Sequence, residues 1–212
     1  MTVTTSFPKI SIKTKMAGIY TVLTILCLMF IGFEIVITKG ELERDFLQSS
    51  VIAASSLTQH DLETFTGSLS DTALVDYSRL KNKLAAISKA IPSCRFVYLM
   101  GEKNNNIFFY VDSEPANSKD ISLPGQIYSE ASLGIRNSFI TKKICVEGPY
   151  TDRWGTWVMA IIPIINPANG KLIAELGIDV SSANWNMQIA KSCAMPVAVV
   201  LIAFFLVKMG IG

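Results

Sequence analysis

The chain has 212 residues, enough for one ordinary domain with accessory segments. Half of them are hydrophobic, only 17% are charged and the mean hydropathy is +0.39, too apolar for a typical water-soluble domain, so membrane spans are sought first. The net charge of +2, with no lysine or arginine cluster beyond the N-terminus, argues against nucleic acid as a partner.

Residues 1–15 are polar and carry Lys9, Lys13 and Lys15 without an acid. An apolar run from Met16 to Thr38 follows, with Glu34 its only charge. About 20 apolar residues suffice to cross a bilayer as a helix. The run is long for a signal peptide and lacks small cleavage-site residues after it, so it reads as an uncleaved anchor spanning residues 16–38. Three lysines before it, against Glu41, Glu43 and Asp45 after it, put the N-terminus in the cytoplasm.

Beyond the anchor, Glu41 to Phe65 shows an imperfect helical stripe of Leu42, Phe46, Val51, Leu57, Leu62 and Phe65. It is a stalk that could pair with a copy of itself, a packing element, or both. After the break at Thr66-Gly67-Ser68, a second helix is predicted with Ser70 or Asp71 as N-cap, a clean stripe from Leu74 to Ile91, and Pro92 as its stop. Arg95–Met100 and Ile107–Asp112 read as two strands joined by a polar loop. Strict alternation in the second puts Phe108, Tyr110 and Asp112 on one face. Residues 113–136 form a long loop, functional or disordered by length, with a short helix near Tyr128–Arg136. Thr141–Glu147 is a further strand, punctuated by Gly148-Pro149. Trp157–Pro163 and Lys171–Asp179 then make a hairpin across the Asn169-Gly170 turn. The fold class is therefore α+β, with two helices before a five- to six-stranded antiparallel sheet. Cys193–Val207, bounded by Lys191 and Lys208, is a second span (residues 191–209), with Pro196 near its first turn. Two spans place residues 39–190 outside the cytoplasm.

Catalysis is not expected. The single histidine, His60, sits among polar neighbours, and no nucleophile–base set, phosphate-binding glycine loop or zinc-type spacing occurs. No cofactor is implied. Of the four cysteines, Cys27 and Cys193 lie in apolar runs. A disulfide between Cys94 and Cys145 is permitted in an outer domain, but their spacing does not require it. A binding pocket with aromatic walls and a few placed polar groups suits the remaining signals. Candidate ligand-binding residues are Tyr110, Asp112, Tyr128, Tyr150, Asp152, Trp157 and Asp179, with Trp154 beside them. Each has a plainer role open to it: Trp157 as core, Asp112 and Asp152 as turn caps, Asp179 as a helix-start signal. Gly177, two residues before Asp179 on the same strand face, would leave room beside that carboxylate.

Val111-Asp-Ser-Glu114, Pro124-Gly-Gln-Ile-Tyr128, Glu147-Gly-Pro-Tyr-Thr-Asp-Arg-Trp-Gly-Thr-Trp157, Gly177-Ile-Asp-Val180 and Trp185 together resemble the extracytoplasmic Cache (PAS-like) sensor domain. That domain precedes the cytoplasmic parts of prokaryotic histidine kinases and diguanylate cyclases. The resemblance implies a PAS-like sheet with a small-molecule site between the sheet and the long loop. In amino-acid-binding members a Tyr, an Arg-x-Trp and a late Asp grip the ligand. Asp179 matches the late Asp, whereas residues 113–136 lack an Arg-x-Trp pair. The expected protein is a two-pass plasma-membrane receptor that binds a small ligand, dimerises through its first helix and signals to a cytoplasmic transmitter in cis or trans. A dimerisation or docking module without a small ligand is the alternative. After Lys208 only four residues remain, so the chain reads as a fragment of a longer receptor or as one without its own output domain.

Overall fold

The computed structural model describes residues 11–211; Lys9 of the N-terminal segment and Gly212 lie outside them. The described residues divide into two units, Glu41–Gln188 and a helical unit made of those up to Gly40 and those from Ile189 onward.

Helix α1 spans Ile12–Ser55 and contributes to both units. It stops ten residues before the expected end at Phe65. The reason is local: Ser55 and Ser56 turn their hydroxyls onto the Ile52 and Ala53 carbonyls (2.7 Å each). Thr58 and Asp61 then form a reciprocal capping box that starts a short 3-10 turn. Helix α2 spans Val75–Ala90 and buries the predicted Tyr77, Leu80, Leu84 and Ile87. Asp71 is not its N-cap. Its carboxylate instead gathers the Thr66, Gly67 and Ser68 amides (3.0, 2.8 and 3.3 Å) ahead of a separate 3-10 turn, Leu69–Ala73.

Five strands follow: β1 Cys94–Lys103, β2 Asn106–Asp112, β3 Cys145–Asp152, β4 Gly155–Ile165 and β5 Leu172–Ser181. They make one antiparallel sheet in the order β2-β1-β5-β4-β3. Asn104 and Asn105, both at positive φ (53° and 63°), close β1 onto β2 in a two-residue turn. β3 does not end at Glu147 but continues past Gly148-Pro149 to Asp152, with a break in register between Glu147 and Tyr150. Helix α3 occupies Leu133–Thr141 rather than Tyr128–Arg136, because Ser132 supplies the N-cap by accepting the Ile135 amide (3.2 Å). Cys94 and Cys145 lie on strands separated by β5 and β4, three spacings and about 14 Å apart. That is beyond disulfide reach, and both thiols are free.

One face of the sheet packs against α2, with Val97, Leu99 and Val111 fully buried. The other carries Phe96, Tyr98, Met100, Phe109, Met159 and Ile161, and packs against Tyr128 and against Ile135 and Phe139 of α3. Since β2 and β3 are opposite edges, residues 113–144 must cross this second face to connect them.

In the helical unit, α1 and helix α4 (Ser182–Ile211) are both long and apolar enough to cross a membrane. Their large apolar side chains, such as Met29, Phe33, Val199 and Leu206, stand exposed (59–67%), a cost in water that lipid removes. The less exposed positions of α1 recur at Met16, Tyr20, Leu23, Cys27, Ile31, Glu34 and Thr38, a single stripe at helical spacing. At its end the Cys193 thiol meets the Thr38 hydroxyl (3.5 Å). Pro196 does not sit in a first turn. α4 begins at Ser182, directly after β5, so Pro196 is interior and leaves one carbonyl of the preceding turn without its usual donor.

Candidate ligand-binding site

The crossing segment is fixed before it reaches the middle of the sheet. Asp112, the last residue of β2, accepts the Glu114 amide (3.2 Å) and pairs with Lys81 of α2 (2.9 Å). Arg95 of β1 holds Glu114 and Asp120 together. Further on, the chain pairs with the β2 edge: Gly125 and Tyr128 donate to the Phe109 and Ile107 carbonyls (2.9 and 2.8 Å), and Phe109 donates to Gln126 (3.1 Å). The long loop is thus an ordered strap, and this pairing turns the Tyr128 side chain inward over the sheet.

Beneath the strap lies a narrow cleft with a free volume of about 20 Å³, lined by aromatic rings from Phe96, Tyr98, Phe109, Tyr128 and Trp154 and by four aspartates, 112, 120, 152 and 179. The rings touch one another: Phe109 stands 5.5 Å from Tyr98, 5.1 Å from Tyr128 and 5.9 Å from Trp154, centroid to centroid. The rings close on one another and leave room for about one water molecule.

Two carboxylates organise the cleft. Asp179, on β5, is buried and accepts the Tyr98 hydroxyl (3.1 Å). Burial pushes its carboxyl well above the ordinary range; the Tyr98 hydroxyl opposes this and the Asp152 charge adds to it. Asp152, at the end of β3, accepts four donors: the Tyr128 hydroxyl (2.8 Å), Trp157 Nε1 (2.9 Å) and the Trp154 and Gly155 amides (2.8 and 3.1 Å). It therefore closes the β3–β4 turn and clasps the strap through Tyr128. Burial likewise raises the Asp112 carboxyl, against the Ser122 amide and Lys81, which stabilise its charge.

Of the predicted residues, Asp112, Tyr128, Asp152 and Asp179 come together at the cleft. Trp157 lies behind it, buried edge-on against Phe96 (5.1 Å), and supports Asp152 instead of lining the space. Tyr150 is half-buried against the core and does not line the cleft. Tyr110 is on the wrong side. A β-bulge opposite Leu99 and Met100 inserts Tyr110 as an extra residue, so Phe109 shares the site face with Asp112. Tyr110 packs with Phe108 on the reverse face (4.9 Å). Strict alternation therefore fails in this strand. The same bulge hid Phe109 from sequence reasoning. Tyr98 was missed too, although it alternates with Phe96 and Met100 in a recognisable strand.

Gly177 provides the space expected of it, but the space is filled. A Cβ there would lie 2.2 Å from Cε2 of Tyr98, the ring whose hydroxyl binds Asp179. Gly177→Ala is accordingly expected to cost about 1–3 kcal/mol through overpacking. Its melting temperature should fall, and an unchanged one would mean that Tyr98 moves aside freely.

The fold and the site define a PAS-like α+β architecture: a five-stranded antiparallel sheet with a small, aromatic-walled cleft under a crossing strap. No protein-family model matches the chain, and no curated protein matches it. Solved structures do. The ligand-binding domain of the Campylobacter jejuni chemoreceptor Tlp3 in complex with L-valine is 17% identical, with a TM-score of 0.58, over 81% of this chain and 66% of that one. The same domain with 4-methylisoleucine is 16% identical, with a TM-score of 0.58, over 81% and 64%. The Tlp3 sensory domain is 16% identical, with a TM-score of 0.54, over 81% and 67%. This chain therefore spans about two thirds of the length of the domains it matches. It shares the fold of these Tlp3 domains.

Proposed function

We propose that the chain is a membrane-anchored receptor input module that binds a small molecule in the cleft between Asp152 and Asp179. Binding would shift its two apolar helices and so inform a cytoplasmic transmitter, such as a histidine kinase, in cis or in trans. The observation that carries the reading is a buried carboxyl group, Asp179, facing an aromatic-walled cleft under a pinned strap. The neighbours' bound amino acids, L-valine and 4-methylisoleucine, support a small-molecule ligand. The lysines before α1's apolar stretch and the acids after it support an extracytoplasmic site and a cytoplasmic N-terminus. Exposed Val51 and Ile52 on the outer part of α1 support self-association there. The chain acts without catalysis in this reading; His60, the only imidazole, is 80% exposed on its side chain.

A ligand can move the helices only by binding one of their arrangements more tightly than another. The full chain in detergent, melted against a metabolite panel, should show at least one compound that raises the melting temperature in a saturable way. A second reading, docking of a partner without a small ligand, draws on the mutual contact of the cleft's rings, which leaves little free space. A panel with no stabilising compound would favour that reading and overturn the first.

A further inference from the structure

Glu175 lies outside the cleft, and it is the one acid among the described residues that is fully buried with both carboxyl oxygens unpartnered. It stands on β5, the middle strand, between Met100 of β1 and Pro163 of β4, and shares the face of Gly177 and Asp179. There α3 covers the sheet with its buried Ile135, Ser138 and Phe139.

Among the described residues no cation answers it. Glu102 of β1, Cys145 and then Glu147 of β3, and the Ser138 hydroxyl of α3 are the titratable and polar groups around it. From β4 and β2 come only apolar side chains, Ile161, Pro163 and Ile107. Arg136 is held by the Ser129 and Ala131 carbonyls, Lys142 reaches the Gly170 carbonyl, and Lys143 and Lys171 are exposed.

Helix α3 is also held unequally. At its start Glu147 accepts the Ser132 hydroxyl and the Gly134 amide (3.1 Å). Toward its end Ser138 gives its proton to the Lys143 carbonyl (2.9 Å), and Glu175 is left without a donor. A neutral Glu175 carries a proton of its own to donate, whereas a charged one has acceptors only. A buried carboxylate without donors must be hydrated or protonated. The neighbouring strands, and α2 on the reverse face, close the other approaches, so water reaches it from the side that α3 covers.

We infer that the domain is a proton sensor with Glu175 as its proton-binding group: α3 seats on the sheet while the proton is bound and lifts from it when the proton leaves. Burial pushes the carboxyl up to about 7, with Ser138 opposing the rise and Glu102 adding to it, whereas the ordinary value is 4.5. The seated form therefore binds the proton more tightly; it is unweakened below 4.5 and loses ground as pH rises to 7. This response needs no small-molecule ligand and stands apart from the cleft.

Hydrogen exchange of the full chain in detergent, corrected for the intrinsic rate at each pH, tests this. Between about pH 5.5 and pH 8 the protection of the α3 amides should fall at least about tenfold. Their exchange at the higher pH should barely respond to about 1 M urea, because lifting one helix exposes little surface, while the α2 amides should exchange more slowly and speed up with urea. In Glu175→Gln, which keeps the shape and cannot ionise, α3 protection should stay level across the range. Should that variant not fold, the comparison of α3 with α2 in the unaltered chain still decides. Level protection of α3 in the unaltered chain would refute the proposal. So would one rate and one urea response shared by α3 and α2, the mark of whole-domain unfolding, or a Glu175→Gln variant that keeps the fall. The metabolite panel bears on the cleft alone, so either reading can fail without the other.

Discussion

Replacing Glu175 with leucine should make the domain more stable at pH 8, by roughly 1–3 kcal/mol, and flatten its stability between pH 4.5 and 7. Glu175 lies on β5 between Met100 and Pro163, on the face that carries Gly177 and Asp179, and is fully buried. Neither of its carboxyl oxygens has a hydrogen-bond partner. Ser138 of α3, the hydroxyl close enough to help, gives its proton to the Lys143 carbonyl (2.9 Å). Burial pushes the Glu175 carboxyl up to about 7, with Ser138 opposing and the Glu102 charge adding to the rise. The unfolded chain releases this proton near 4.5, whereas the folded chain keeps it to about 7. Between those values the folded state binds more protons, so rising pH favours unfolding. The loss is complete above 7 and absent below 4.5. Urea titrations of wild type and Glu175→Leu across this range measure the effect. A wild-type curve without that slope, or a variant that keeps it, would show that the carboxyl is satisfied by another group.

Asp152→Ala should be the most damaging single change at the cleft, costing about 3–5 kcal/mol. Four donors lose their acceptor at once, among them the indole of the buried Trp157 and the Tyr128 hydroxyl that ties the strap to β3. Asp152→Asn should cost about 1 kcal/mol, because its carbonyl can still serve Trp157 and the two amides while its amide group donates to the Tyr128 oxygen. Denaturation midpoints of the two variants, with Trp fluorescence as probe, test this. Equal losses would mean that the charge, not the hydrogen-bond geometry, holds the turn.

The two apolar helices, the α2 stripe, the β4–β5 hairpin and the acid–aromatic character of the site could be read from residue types and spacing, because each depends on neighbours close along the chain. The places where local reading failed depend on contacts distant along the chain. Tyr110 exchanged faces with Phe109 because β2 bulges against β1, and no pattern within β2 announces that. The strand order, with β2 and β3 at opposite edges, makes residues 113–144 a strap over one face and carries Tyr128 to Asp152, 24 positions away. Likewise the room beside Gly177 was visible, but not its occupant, Tyr98, whose hydroxyl meets Asp179 across 81 positions. Sequence alone determined which chemistry this protein carries, since composition and periodicity fix what must be buried and what can be charged. Tertiary structure decided which groups meet, because one added residue in a strand reverses the side that every later residue faces.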